Sequence, residues 1–158
     1  MRQMRFFRGG WVAFLFIIIA GCQKPDFNAI DGQKINLKDS QGRWLALNIW
    51  AEWCDPCREE IPHLNSLSGK GEIRVVGYDF DEEKGQPLKD KVKSMAIAFP
   101  VIEENPLPLL GVKSPQVLPA TYIINPEGKL VDTLYGPQTG ESIKGYISEQ
   151  QQKVKAGG

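Results

Sequence analysis

Apolar positions along the chain fall into two kinds of run. Residues 44–50 (WLALNIW) and 73–80 (IRVVGYDF) are almost continuously apolar and of strand length, the pattern of strands covered on both faces. Between them Ile61, Leu64 and Leu67 recur every third residue, which predicts a helix over 56–67 with Pro62 kinking it from inside. A sparser stripe of Leu88, Val92, Met95 and Ile97 marks a surface helix in the charged stretch 82–98, starting near Pro87. Val101-Ile102 reads as a short strand and 106–115 as a Pro-rich loop. Residues 120–124 and 129–135 flank Asn125-Pro126-Glu127-Gly128, a turn sequence, and predict an antiparallel hairpin. Ile143, Tyr146 and Ile147 give the apolar edge of a terminal helix over 142–154. Ahead of the first long strand, 27–30 and 34–37 flank Asp31-Gly32 and predict a small N-terminal β-hairpin. The order βαβαβ followed by ββα specifies an α/β domain: a central mixed β-sheet flanked by helices.

The first 22 residues follow a different pattern. Arg2, Arg5 and Arg8 precede the ten-residue apolar run from Trp11 to Ala20, and Gly21 and Cys22 follow. The run is too short for a spanning helix, which needs about 20 apolar residues, and fits a secretory signal. Its ending Ile19-Ala20-Gly21-Cys22 resembles the lipobox of bacterial lipoproteins, in which the cysteine receives a lipid and the chain is cut just before it. Residues 1–21 are then a signal peptide, 22–27 a lipidated tether and 28–156 the folded domain. A retained anchor, or an ordinary signal with a bystander cysteine, is the alternative. In Gram-negative lipoproteins an aspartate after the cysteine marks inner-membrane retention, so Gln23 points to the outer membrane in such a host.

Composition changes the picture only after that removal. The 158 residues are 42% apolar and 24% charged, with 19 basic and 19 acidic side chains, a profile of one globular domain. Without residues 1–21, 137 residues remain with 16 basic and 19 acidic side chains, a net charge of −3. No basic excess supports a nucleic-acid partner. Three cysteines are too few for a disulfide-stapled scaffold, and one stands outside any intramolecular pair.

The chemistry concentrates in Trp53-Cys54-Asp55-Pro56-Cys57, directly after a buried strand and at the start of a helix. Two thiols three residues apart on a first helical turn are close enough to form a disulfide. The free N–H groups and positive dipole end stabilise a thiolate there. Cys54, at the tip, is therefore the attacking nucleophile and Cys57 the buried resolving thiol. Pro56 lacks an N–H and suits the first turn. A structural zinc site would need two more ligands, and only His63 and Cys22 remain. A purely structural disulfide would gain little from so short a loop.

At these residues the chain resembles the thioredoxin superfamily. Residues 50–57 (WAEWCDPC) closely match its active-site signature, with Asp55 where thioredoxin has glycine. Pro62 matches the proline of the active-site helix, Leu118-Pro119 the cis-proline segment facing the disulfide, and Gly136 the close of the last strand. The secretory signal, the Cys-acid-Pro-Cys motif and the long connection from 81 to 118 are similar to the TlpA/ResA branch of membrane-tethered disulfide reductases. The resemblance implies a thioredoxin-like fold. Trp53, Pro56, Leu118 and Pro119 would contact substrate, with Trp53 shielding Cys54 unless it is ordinary core. Pro119 would leave a backbone edge free for an extended substrate. Thioredoxin's buried aspartate, six residues before the first cysteine, is here Asn48, which takes no proton. Glu60 matches an active-site acid of the ResA-like branch and is the candidate replacement; a solvated helix carboxylate is the competing reading. Ala120 stands where thioredoxin has threonine.

The function implied is a periplasmic thiol–disulfide oxidoreductase that reduces protein disulfides. It needs no cofactor beyond the redox-active Cys54–Cys57 pair and no metal. Its partners would be oxidised substrate proteins and a membrane thiol donor, and it would work as a lipid-anchored monomer. Related dithiols span about −270 to −120 mV, so direction is not fixed by the motif. Asp55 disfavours a Cys54 thiolate and argues mildly against a strong oxidant. A thiol peroxidase would need proline and threonine or serine where Leu47 and Ala51 stand. A metallochaperone would use Cys54, Cys57 and His63, although a surface or packing role suits His63 better. Asp79, Asp81, Glu82 and Glu83 read as a solvated strand end without calcium-loop spacing.

Overall fold

A computed structural model of the protein describes residues 26–38, 42–71 and 73–156. The expected signal peptide and Cys22 lie outside the described residues. Two short strands, β1 (Phe27–Asn28) and β2 (Lys34–Ile35), pair antiparallel as the expected hairpin. Phe27, the last residue of the expected tether, is buried in β1, so the folded domain includes it.

The central sheet contains β3 (Trp44–Trp50), β4 (Ile73–Asp79), β5 (Val101–Ile102), β6 (Ala120–Ile124) and β7 (Leu130–Tyr135), in the order β5-β4-β3-β6-β7. β3 pairs parallel with β4, and β4 with β5, while β6 runs antiparallel to both β3 and β7. α1 (Asp55–Gly69) crosses between β3 and β4, α2 (Gly85–Ser94) lies between β4 and β5, and the chain's last described helix follows β7 over Gly140–Ala156. The sheet is mixed and carries helices, as the element order requires.

Two boundaries differ from the periodicity. The 106–115 loop contains a single helical turn, α3 (Leu107–Leu110), ended by Gly111 in the left-handed region at φ 70°. Prolines at the start of a helix leave no N–H unsatisfied there, so a Pro-rich stretch is compatible with one turn. The helix over Gly140–Ala156 is therefore α4. α2 begins at Gly85 and ends at Ser94, inside the predicted 82–98. Met95 is still buried and Ile97 half-buried, so the apolar stripe continues after the helix has ended.

Alternation in β3 divides the core. Ala46 and Trp50 join Ile61, Leu64 and Leu67 of α1, Leu88 of α2 and Ile143 and Ile147 of α4. Leu45, Leu47 and Ile49 point the other way, into a cluster with Phe27, Ile35 and Leu107. Both faces of β3 are therefore covered, which is why its sequence is apolar almost without interruption. Packing against the first face is close at Gly77. A Cβ there would stand 2.9 Å from Phe99 Cε2 and 3.0 Å from Trp50 Nε1, leaving no room for a side chain. The small hairpin closes the β5 side, where Ala29 bridges Ile102 and the Ile30 N–H donates to the Val101 carbonyl at 2.9 Å.

Candidate active site

The C-terminal ends of β3 and β4, the start of β6 and the end of β7 share one end of the sheet. After Trp50 the chain turns, with the Cys54 N–H donating to the Ala51 carbonyl at 3.2 Å, and enters α1. Cys54 is the N-cap residue of α1 in extended backbone (φ −90°, ψ 102°), and Pro56 occupies the first turn. Cys54 and Cys57 form a disulfide, with Cα atoms 5.3 Å apart. The Cys57 N–H donates to Cys54 Sγ at 3.3 Å. A backbone donor at the positive end of a 15-residue helix thus already reaches the Cys54 sulfur, an environment that favours a thiolate over a thiol. Cys54 is 5% exposed and Cys57 fully buried, so of the two sulfur-bearing residues Cys54 is the nearer to the surface.

The Leu118–Pro119 peptide bond is cis. Ala120, which opens β6, pairs with Ile49, so the cis-proline lies beside the end of β3 from which the Cys54 loop departs. The Pro119 carbonyl accepts the Gly136 N–H at 2.9 Å, and Gly136 adopts φ +82°, the left-handed region that favours glycine. Leu118 is half-buried and packs against both core clusters.

Glu60 is 1% exposed, which removes the solvated-helix reading. It stands one turn after Cys57, on the same face of α1. Its Oε1 accepts from Asn48 Nδ2 at 2.7 Å and its Oε2 from the Gln138 N–H at 2.9 Å. Asn48 Nδ2 also donates to Thr121 Oγ1 at 3.1 Å, and Asn48 Oδ1 is buried without a partner among the described residues. Burial raises the Glu60 pKa to about 7, against the lowering effect of the Gln138 and Asn48 hydrogen bonds. Its hydrogen-bond partners are neutral, so no cation offsets its burial.

Trp53 is 64% exposed and so is not core. Its ring meets Phe80 edge-on, with centroids 6.2 Å apart. Asp81, Glu82 and Glu83 are exposed, as a solvated strand end requires, and only Asp79 departs from that expectation. Asp79 is buried, because it is the last residue of a central strand, and Lys91 of α2 bridges it to Asp81. Burial pushes the Asp79 carboxyl up, opposed by Lys91 and the Glu83 N–H. His63 is exposed on α1, at an open cavity of about 420 Å³ shared with Lys70 and Glu141. Among the described residues no three His, Cys, Asp or Glu side chains gather around one point. Leu47 and Ala51, where a peroxidase needs proline and a hydroxyl, are fully buried.

Thr121, Gln138 and Lys91 went unnoticed in the sequence. Thr121 and Asn48 carried a usable signal, since each is a polar residue in an otherwise apolar run, and they are register partners across β3 and β6. Gln138 acts through its backbone and has no side-chain signature.

The AhpC/TSA family profile matches residues 20–133. A thiol-disulfide oxidoreductase ResA of Bacillus cereus is 34% identical over 134 residues, 82% of this chain and 77% of that protein. The crystal structure of StoA from Bacillus subtilis superposes with a TM-score of 0.63 at 24% identity, covering 77% of this chain and 93% of that one. The exposed lipoprotein thioredoxin Etrx1 of Streptococcus pneumoniae gives a TM-score of 0.60 at 23% identity, over 78% and 96% of the two chains.

Proposed function

The chain belongs to the AhpC/TSA family as a ResA-like thiol–disulfide oxidoreductase, and on that premise we propose that it reduces disulfides of partner proteins outside the cytoplasm. It works by dithiol–disulfide exchange, and its substrates are proteins. The Cys54 thiolate attacks a substrate disulfide, forming a Cys54–substrate mixed disulfide and releasing one substrate thiolate. Cys57 then gives up its proton and attacks Cys54 Sγ. The products are the Cys54–Cys57 disulfide and a second substrate thiolate, so two electrons have passed to the substrate. Glu60 takes the Cys57 proton in this reading. The carrying observation is a buried carboxyl one helical turn after Cys57, with a pKa of about 7, where Asn48 replaces the usual buried acid. Trp53, Pro56, Leu118 and cis-Pro119 form the substrate-facing rim, and the dithiol itself stores the electrons.

Re-reduction would come from a membrane thiol donor. Cys22 would carry the lipid that holds the folded domain on the membrane as a monomer, at the outer membrane in a Gram-negative host because of Gln23. The lipobox-like ending at Cys22 and the lipoprotein character of the pneumococcal neighbour support the lipid anchor. Trapping tests the exchange roles. Cys57→Ser is expected to leave Cys54 in stable mixed disulfides with substrate proteins. Trapping by Cys54→Ser instead would reverse the assignment. Direction is tested by the Cys54–Cys57 potential: a value at the reducing end of the range, near about −270 mV, fits a reductase. A value near about −120 mV would make the protein an oxidant.

A further inference from the structure

The turn between β4 and α2 holds a chain of polar contacts that the exchange steps do not use. Trp53 Nε1 donates to Asp81 Oδ1 at 3.0 Å. Asp81 Oδ2 accepts from Lys91 Nζ at 2.9 Å, and the same Nζ reaches Asp79 Oδ2 at 3.1 Å. One turn further along α2, Ser94 Oγ donates to Glu52 Oε1. α2 therefore holds Glu52 directly through Ser94, and Trp53 through Lys91 and Asp81, immediately before the attacking cysteine.

The arrangement contains two unfavourable features. Asp79 is 1% exposed, and its Oδ1 has no partner among the described residues. Glu82 adopts φ +62°, a left-handed conformation uncommon for a residue with a side chain. Both lie in the short turn that brings Asp81 to the indole, with the Glu82 N–H closing it onto the Asp79 carbonyl at 3.1 Å. Strain and buried charge concentrated where a segment meets a functional residue point to a role in that function. A free indole on an exposed loop samples several rotamers, and binding must then order it. Here the ring is held at its nitrogen end by Asp81 and at its edge by Phe80.

We propose that Asp81, clamped by Lys91, is a positioning residue for Trp53: it fixes the indole whose exposed face meets the partner protein. The clamp thereby raises affinity for protein disulfides and leaves the reacting sulfurs untouched. This rests on the reading of Trp53 as a substrate-facing residue given above.

The test compares two substrates in the full-length chain, insulin as a protein disulfide and dithiobis(nitrobenzoate) as a small one. Asp81→Ala is expected to raise KM for insulin about five-fold with kcat unchanged, the cost of ordering one freed indole on binding. Its rate with the small disulfide stays within about two-fold of wild type. Asp81→Asn, whose amide oxygen still accepts from the indole, restores most of the affinity. Trp53→Phe raises KM as Asp81→Ala does, and the double variant is no worse than either, because both remove the same bond. Additive effects, failure of Asp81→Asn to restore affinity, or equal losses on both substrates would overturn the clamp. If Asp81→Ala does not fold, Lys91→Met keeps the acceptor and loosens the clamp, with KM expected to rise in the same direction; no rise overturns the proposal. The indole N–H resonance of Trp53 provides a readout independent of activity. A chain inactive on both substrates refutes the proposed function, while an indole resonance unmoved by Asp81→Ala refutes the clamp alone.

Discussion

Two carboxylates on this domain are equally buried and serve opposite ends. Glu60 and Asp79 are each 1% exposed, and both lie near the end of the sheet that carries Cys54. Glu60 is met by neutral donors, the Asn48 amide and the Gln138 N–H. Asp79 is met by the Lys91 ammonium. Desolvation opposes ionisation in both, and what differs is the partner. A neutral donor favours the charge too weakly to overcome burial, so the Glu60 proton stays mobile near pH 7. A cation repays more of the desolvation, so Asp79 suits structure rather than proton transfer.

The largest effect expected from this contrast is on stability as pH changes. The Glu60 pKa in the folded protein, about 7, lies above its ordinary value of 4.5. The folded state therefore holds the proton more tightly than the unfolded chain. The stabilisation is full below about pH 4.5 and is lost as pH rises through about 7, on the order of 3 kcal/mol in all. Denaturant unfolding of the oxidised wild type and Glu60→Gln at pH 4.5 and 8 isolates it, since all other groups cancel. A stability difference independent of pH would remove Glu60 from proton chemistry.

Next in size, Glu60→Gln should slow mixed-disulfide resolution about a hundred-fold at pH 7, measured by stopped flow. The wild-type rate should rise with pH around 7, and the variant should lose that inflection. Asp79→Asn sharpens the comparison from the other side. It removes the buried charge but leaves Lys91 paired with Asp81; because burial disfavours the ionised Asp79 carboxyl, stability at neutral pH should rise modestly, with the exchange rate nearly unchanged. The smallest effect is that of Thr121→Val, which deletes one partner of Asn48 and should cost about 1 kcal/mol in thermal unfolding. It should also leave the Asn48 amide freer to turn, altering the Glu60 titration followed by carboxyl-carbon NMR.

Much of this was legible along the chain. β3 runs over the seven residues of the predicted strand, Trp44–Trp50, because a strand buried on both faces has few polar positions to blur its ends. Cys54 and Cys57 were readable because both lie within one helical turn, where spacing alone fixes proximity. α2 was less well bounded, since a surface helix buries few residues and its apolar stripe continues past its end at Ser94. The 106–115 stretch hid α3 because proline is read as a breaker, although it is tolerated in a first turn. Glu60 could be named from the sequence, but its burial depended on what packs over α1.

The sequence by itself determined the α/β order, the dithiol at a helix start, and the substitution of asparagine for the usual buried acid. The first two are local facts, set by periodicities of two and 3.6 and by spacing within one turn, and the third is what the family resemblance implies. Tertiary structure decided which acids are buried and what faces them. Asn48 meets Glu60 across 12 residues and Thr121 across 73, Gln138 meets Glu60 across 78, and Trp53 meets Asp81 across 28. No local pattern encodes such pairings, because they arise only when parallel and antiparallel strands bring their ends to one edge of the sheet. Charge state follows from that environment, and so the division of labour between the two carboxylates is a property of the fold.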